Sequence, residues 1–122
     1  MSDEVQLTPE ERELETALRS LRPMPARLAP DKYVDALRRA VDASLVAFKP
    51  DLIMISAGFD SLAGDPLGAF TLEYEHFEEL TRWMVGLAEH HCGGRLVSAL
   101  EGGYAPDRLG VVCVRHMRAL LP

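Results

Sequence analysis

Two cysteines, Cys92 and Cys113, are all that this chain contains, and they form no CxxC pair. That excludes a disulfide scaffold and a cysteine metal knuckle, and it reads as free, reduced thiols in a cytoplasmic protein. No apolar signal core opens the sequence, and no apolar run approaches the ~18 residues that span a membrane. Basic residues are the minority, 13 against 19 acidic, for a net charge of -6. No basic stripe follows a phosphate backbone, so direct nucleic-acid binding is not expected, and the acidity reads as solubility. No internal repeat or low-complexity tract interrupts the chain. Histidine is absent before His76.

What is present describes a globular domain: 122 residues, 48% hydrophobic and 26% charged, enough for one small core. Residues 1–22 differ from the rest. Thr8 is a helix cap, Pro9 suits the first helical position, and Glu10 and Glu11 favour the positive helix end. Leu14, Ala17, Leu18 and Leu21 then form an apolar stripe, with Arg19 and Arg22 toward the far end. Two readings stand for this helix: a packing element that covers an open surface, or a partner-binding helix. Pro23-Met24-Pro25 ends it in an extended link.

A second helix starts at Ala29-Pro30-Asp31. Tyr33, Val34, Leu37, Ala40, Val41, Ser44, Leu45 and Phe48 recur in it at three and four. Through Lys49-Pro50 it feeds the stretch DLIMISAGFDSLAGDPLG, residues 51–68. The run 52–55 is apolar at every position and predicts a parallel strand covered on both faces. Thr71 opens a long helix whose buried side takes Leu72, Phe77, Leu80, Trp83, Met84, Leu87 and Ala88, and Gly93-Gly94 stops it. Residues 95–100 are a second strand, ending in Glu101-Gly102-Gly103-Tyr104. Pro106 or Asp107 starts a last helix, with Leu109, Val112, Cys113, His116, Ala119 and Leu120 facing in. The order is α-α-β-α-β-α. Strands alternating with helices are parallel neighbours, so the loops after both strands share one rim. Ligands of open α/β sheets bind at that rim, which here holds Asp60 and Tyr104.

Taken alone, these residues keep two readings each. Asp60 caps backbone N–H groups near Gly58 and Gly64, or it binds a metal. Gly102 and Gly103 admit a ligand close to the backbone, or they serve a tight turn. Tyr104 is a packed loop aromatic or a hydrogen-bond donor to substrate. Leu67 packs the loop or lines a site. Asp65, before Pro66, reads as a structural turn residue. His90-His91 closes a long helix just before two glycines, where the dipole favours histidine without further purpose. His76 reads as exposed and His116 as a half-buried packing residue.

SAGFDSLAGDPLG, followed about 30 residues on by LEGGY, resembles the zinc-dependent histone deacetylase and acetylpolyamine amidohydrolase family, its bacterial and class II-like members above all. The resemblance runs from roughly Pro23 to the end, so residues 1–22 stand as an N-terminal addition and 23–122 as the C-terminal portion of a longer domain. It implies an α/β fold: a parallel-sheet fragment of the three-layer arginase/deacetylase fold. It implies that Asp60 matches a zinc ligand and Tyr104 the catalytic tyrosine that stabilises the oxyanion. Leu67, with Gly102 and Gly103, matches the substrate tunnel. The implied reaction removes acetyl from acetyl-lysine or acetyl-polyamine, with zinc as cofactor.

The family also uses an upstream D-x-H segment and an upstream His-His pair. Neither stands before Asp60 here, and His90-His91 lies on the wrong side of it. A catalytic zinc usually has three protein ligands. The chain is therefore expected not to hold zinc stably alone, and a truncated, inactive homologue acting as an interaction module is the alternative reading. Strands without neighbours leave an open edge and exposed apolar surface. That predicts self-association, a partner chain on the edge, or the N-terminal helix docked over it.

Overall fold

The computed structural model describes residues 8–13, 16 and 28–122. Residues 9–13 are helical. Thr8 and Glu11 cap each other there, the Thr8 N–H donating to Glu11 Oε2 (2.7 Å) and the Glu11 N–H to Thr8 Oγ1 (3.3 Å). The Thr8 backbone and hydroxyl donors hold the Glu11 carboxyl below its ordinary value. Leu14 and the positions 17–22 of the predicted stripe, with Pro23-Met24-Pro25, lie outside the described residues.

Five elements follow: α1 (Pro30–Phe48), β1 (Ile53–Ala57), α2 (Tyr74–Cys92), β2 (Leu96–Leu100) and α3 (Pro106–Leu120). Proline starts both α1 and α3, where its missing N–H has no helical partner to lose. Gly93 ends α2 in the left-handed region at φ 60°. The strands pair in parallel, from Ile53 beside Leu96 to Ala57 beside Leu100. Helices α2 and α3 pack against each other. The main core joins Ala57, Phe59, Leu62, Leu72, Phe77 and Val112, with Val34 from α1. A second cluster holds Ile53 against Ala88 and Cys92.

Expectations for several elements need correction. The first concerns β1, which is covered on one face rather than both: Ile53 and Ala57 are buried, whereas Met54 is 71% exposed. Its open face continues into β2 through Val97 and Ala99. The described helices account for only one side of a strand whose run 52–55 is apolar at every position. Stripe residues of α1 are likewise uncovered at Leu37 and Phe48. The second concerns α2, which starts at Tyr74 rather than Thr71. Leu72 is buried before the helix, in a parallel bridge to Leu62. Glu73 caps α2, and the Glu73 N–H donates to His76 Nδ1 at 2.9 Å, so His76 is a half-buried capping residue and not an exposed one.

His116 is buried and hydrogen-bonded at both ring nitrogens, Nδ1 to Thr81 Oγ1 and Nε2 to Ser98 Oγ, each at 2.7 Å. The Thr81 hydroxyl donates to the Phe77 carbonyl (2.6 Å). Its one proton is spent there, so it accepts from His116 Nδ1–H, and Nε2 accepts from Ser98. Burial pushes the His116 pKa down, which keeps this neutral tautomer. No helix of the described residues is long and apolar enough to cross a membrane.

Candidate functional site

Both strands end at the same rim, and their loops are joined by hydrogen bonds. The last ladder bond runs from the Glu101 N–H to the Ala57 carbonyl (3.0 Å). Beyond it the Phe59 N–H donates to the Gly102 carbonyl (2.8 Å). The Phe59 side chain turns into the core and stacks edge-on against Phe77 and His116. Phe59 therefore anchors the chain immediately before Asp60.

Asp60 is exposed, and its carboxylate lies against the backbone of the second loop. A Cβ on Gly102 would stand 3.3 Å from Asp60 Cγ and Oδ2, and one on Gly58 would stand 3.1 Å from Oδ1. These glycines leave the carboxylate its place at the seam between the loops. Gly68 does the same for the main chain, because a Cβ there would fall 1.6 Å from the Asp60 carbonyl oxygen. Gly103 has φ +137°, and a Cβ on it would meet Leu109 and Phe59 at 2.7 and 3.2 Å. It turns the chain toward Tyr104, whose side chain is half exposed.

Asp65 joins the two loops from below. The residue is buried, and its carboxylate accepts three backbone N–H groups: Leu67 (2.8 Å) and Gly68 (2.9 Å) on Oδ1, and Tyr104 (2.7 Å) on Oδ2. Burial works to raise its pKa, but the Tyr104, Leu67 and Gly68 donors outweigh it and hold the carboxyl below the ordinary aspartate value. Leu67, on the turn that Asp65 organises, is 73% exposed. Arg108 of α3 completes the frame. Its guanidinium donates to the Ala63 carbonyl, to Tyr74 Oη (3.1 Å) and to Glu73 (2.8 Å).

Asp60, Tyr104, Gly102, Gly103 and Leu67 thus fall on two loops that are bonded to each other. The His90–His91 pair does not join them. It closes α2 beside Cys92, which packs on Ile53, so it lies by the opposite end of β1, about 13 Å of strand away from the loop of Asp60. Among the described residues no group of three or more His, Cys, Asp or Glu is placed to hold a metal. One exposed carboxylate fits a single ligand position of a zinc site and does not fit a whole site. Sequence reasoning missed the reach of Asp65 to Tyr104 and the Thr81–His116–Ser98 chain. Asp-Pro signals a local turn and carries no mark of a contact 39 residues away.

Comparison with known proteins bears on these loops. The model of the histone deacetylase domain matches residues 10–120, beginning inside the segment read as an N-terminal addition. A histone deacetylase-like amidohydrolase of Pseudomonas aeruginosa is 43% identical over 75 residues, 62% of this chain and 20% of that protein. A probable deacetylase of Archaeoglobus fulgidus is 37% identical over 85 residues, 70% of this chain and 24% of that protein. The crystal structure of the HDA15 HD domain superposes with a TM-score of 0.67 at 30% identity, covering 78% of this chain and 26% of that one. The chain spans about a fifth to a quarter of the length of these two curated relatives.

Proposed function

This chain belongs to the histone deacetylase family, and we propose that it forms the tyrosine-bearing part of a zinc-dependent hydrolase of acetyl-lysine or acetyl-polyamine. The observation that carries the reading is the bond between the two loops, Phe59 N–H to Gly102 carbonyl, which sets Asp60 against Gly102 two residues from Tyr104. In this reading Asp60 is one metal ligand. Zinc, when bound, supplies a Lewis acid for the amide carbonyl. Tyr104 donates its hydroxyl to the carbonyl oxygen as negative charge develops there. Leu67, exposed on its turn, and the bare backbone of Gly102 and Gly103 wall the approach for an acyl-lysine stem. Two further ligands and a base have to come from residues outside this sequence, so no metal step is assigned to these residues alone. In this reading the chain works in the cytoplasm, where Cys92 and Cys113, both free, stay reduced.

A second reading rests on the bare sheet face and the lone ligand: an inactive interaction module that self-associates or takes a partner chain along its open strands. Elemental analysis of dialysed protein separates the two. Wild type and Asp60→Ala are measured alone and mixed with a polypeptide that supplies a D-x-H segment and a histidine pair. Zinc near one per complex in the mixture, absent with Asp60→Ala, is the expected result for the hydrolase. No Asp60-dependent zinc in either sample overturns the metal reading and leaves the module.

A further inference from the structure

Two aspartates lie five residues apart in the first loop, and their surroundings are opposite. Asp60 is exposed at the seam, whereas Asp65 is buried with both oxygens occupied by three amide donors. Three of the roughly four acceptor sites of this carboxylate are thus taken, all by backbone donors. The result is a fixed geometry. Pro66 carries no N–H, so the next two donors, Leu67 and Gly68, close on Oδ1 and lock the turn. Oδ2 is then aimed at the other loop, where the Tyr104 N–H meets it at 2.7 Å.

Among the described residues Tyr104 makes no other hydrogen bond. The β ladder has ended at Leu100, and Gly103 at φ +137° has turned the backbone away from the strand direction. We propose that Asp65 is a positioning residue: its carboxylate fixes the backbone of Tyr104 relative to the loop that carries Asp60 and Leu67. The same anion thereby sets the tyrosine and the tunnel leucine in one register. This rests on the reading of Tyr104 as the oxyanion donor, because a donor is useful only where charge develops, within about 0.5 Å.

The test is amide exchange by NMR on the whole labelled chain, wild type against Asp65→Asn. Asparagine keeps one acceptor oxygen. Turned to Leu67 and Gly68 it preserves two bonds and presents an NH2 group to the Tyr104 N–H. The opposite rotamer would set donor against two donors. Phe59 and Glu101 report the fold, since their N–H groups bond backbone carbonyls that do not involve Asp65. The expected result is Tyr104 exchange faster by about tenfold to a hundredfold, the loss of one hydrogen bond to a charged acceptor, with Phe59 and Glu101 unchanged. Ring signals of Tyr104 shift, while those of Tyr33 and Tyr74 do not. Unchanged Tyr104 exchange overturns the proposal. So does equal acceleration of Phe59 and Glu101, which would make Asp65 a general fold residue. Neither readout needs metal or activity. If the hydrolase reading fails, it fails in the zinc measurement, and the exchange result stands apart from it.

Discussion

β1 joins two different environments, the packed loop at its carboxyl end and the bare face of the sheet. At its carboxyl end the chain runs into a packed knot: Phe59, Leu62, Leu72 and Val112 are each 3% exposed or less. On its open face Met54 is 71% exposed, beside Val97 at 49%. Both regions carry apolar residues of the same kinds. The difference lies in what surrounds them. The knot is closed by the loop after β1, α2 and α3, with Val34 of α1, and pinned by the Asp65 and Arg108 bonds. The open face has no described element over it. Apolar sequence states that a surface needs cover; it does not state which part of a longer domain supplies it.

The sharpest way to test that difference is to delete the same amount of side chain on each side of it. Leu62→Ala removes a buried side chain from the knot and is expected to cost about 2–5 kcal/mol. Met54→Ala on the open face is expected to change stability by no more than about 0.5 kcal/mol. Urea denaturation of both variants decides it. Equal losses would mean that the open face is covered in solution, and the contrast between the regions would disappear.

A smaller effect is expected from acid, and it reaches only the packed region. Burial depresses the folded pKa of His116. The unfolded chain takes up that proton near the ordinary histidine value, about 6.5, while the folded chain resists it. The unfolded state therefore binds more protons as pH falls, and stability drops with it. The loss begins as pH falls through the ordinary value and levels off below the depressed folded one. In His116→Gln the part of the pH dependence that begins at the ordinary histidine value vanishes. A wild-type slope that survives in His116→Gln assigns the acid sensitivity to other groups.

These two regions were not equally readable in the sequence. Proline helix starts at Pro30 and Pro106 and the stop at Gly93 follow local rules, and the strands fall within two residues of their apolar runs, β1 at 53–57 against 52–55 and β2 at 96–100 against 95–100. The shared rim followed from parallel pairing alone. Less local facts were hidden. Leu72 looked like the first turn of a helix because its burial fits helical spacing, yet a bridge to Leu62 buries it. The α2 cap uses Glu73 and His76 in place of a Ser or Thr cap, so Thr71 drew the boundary too early. Thr81, His116 and Ser98 lie on three elements, and only packing brings them together. Coverage of both faces of β1 was over-read, since a run of apolar residues records the whole domain in which a strand works.

The smallest change in stability carries the most information about the open face. Met54→Ser combined with Val97→Ser makes neighbouring positions of the bare sheet polar, and both side chains already meet water. The folding free energy is expected to move by about 0.5 kcal/mol or less. Association should respond instead. Exposed apolar strands with unpaired edges drive contact between chains, and two hydroxyls remove the apolar part of that drive. Light scattering should therefore show wild type above the monomer mass and the double variant closer to it at equal concentration. A wild type that is strictly monomeric, matched by the variant, would mean that the face is shielded within one chain. Residues 9–22 are then the segment to probe: slow hydrogen exchange there would identify the cover as the N-terminal helix, and fast exchange would exclude it.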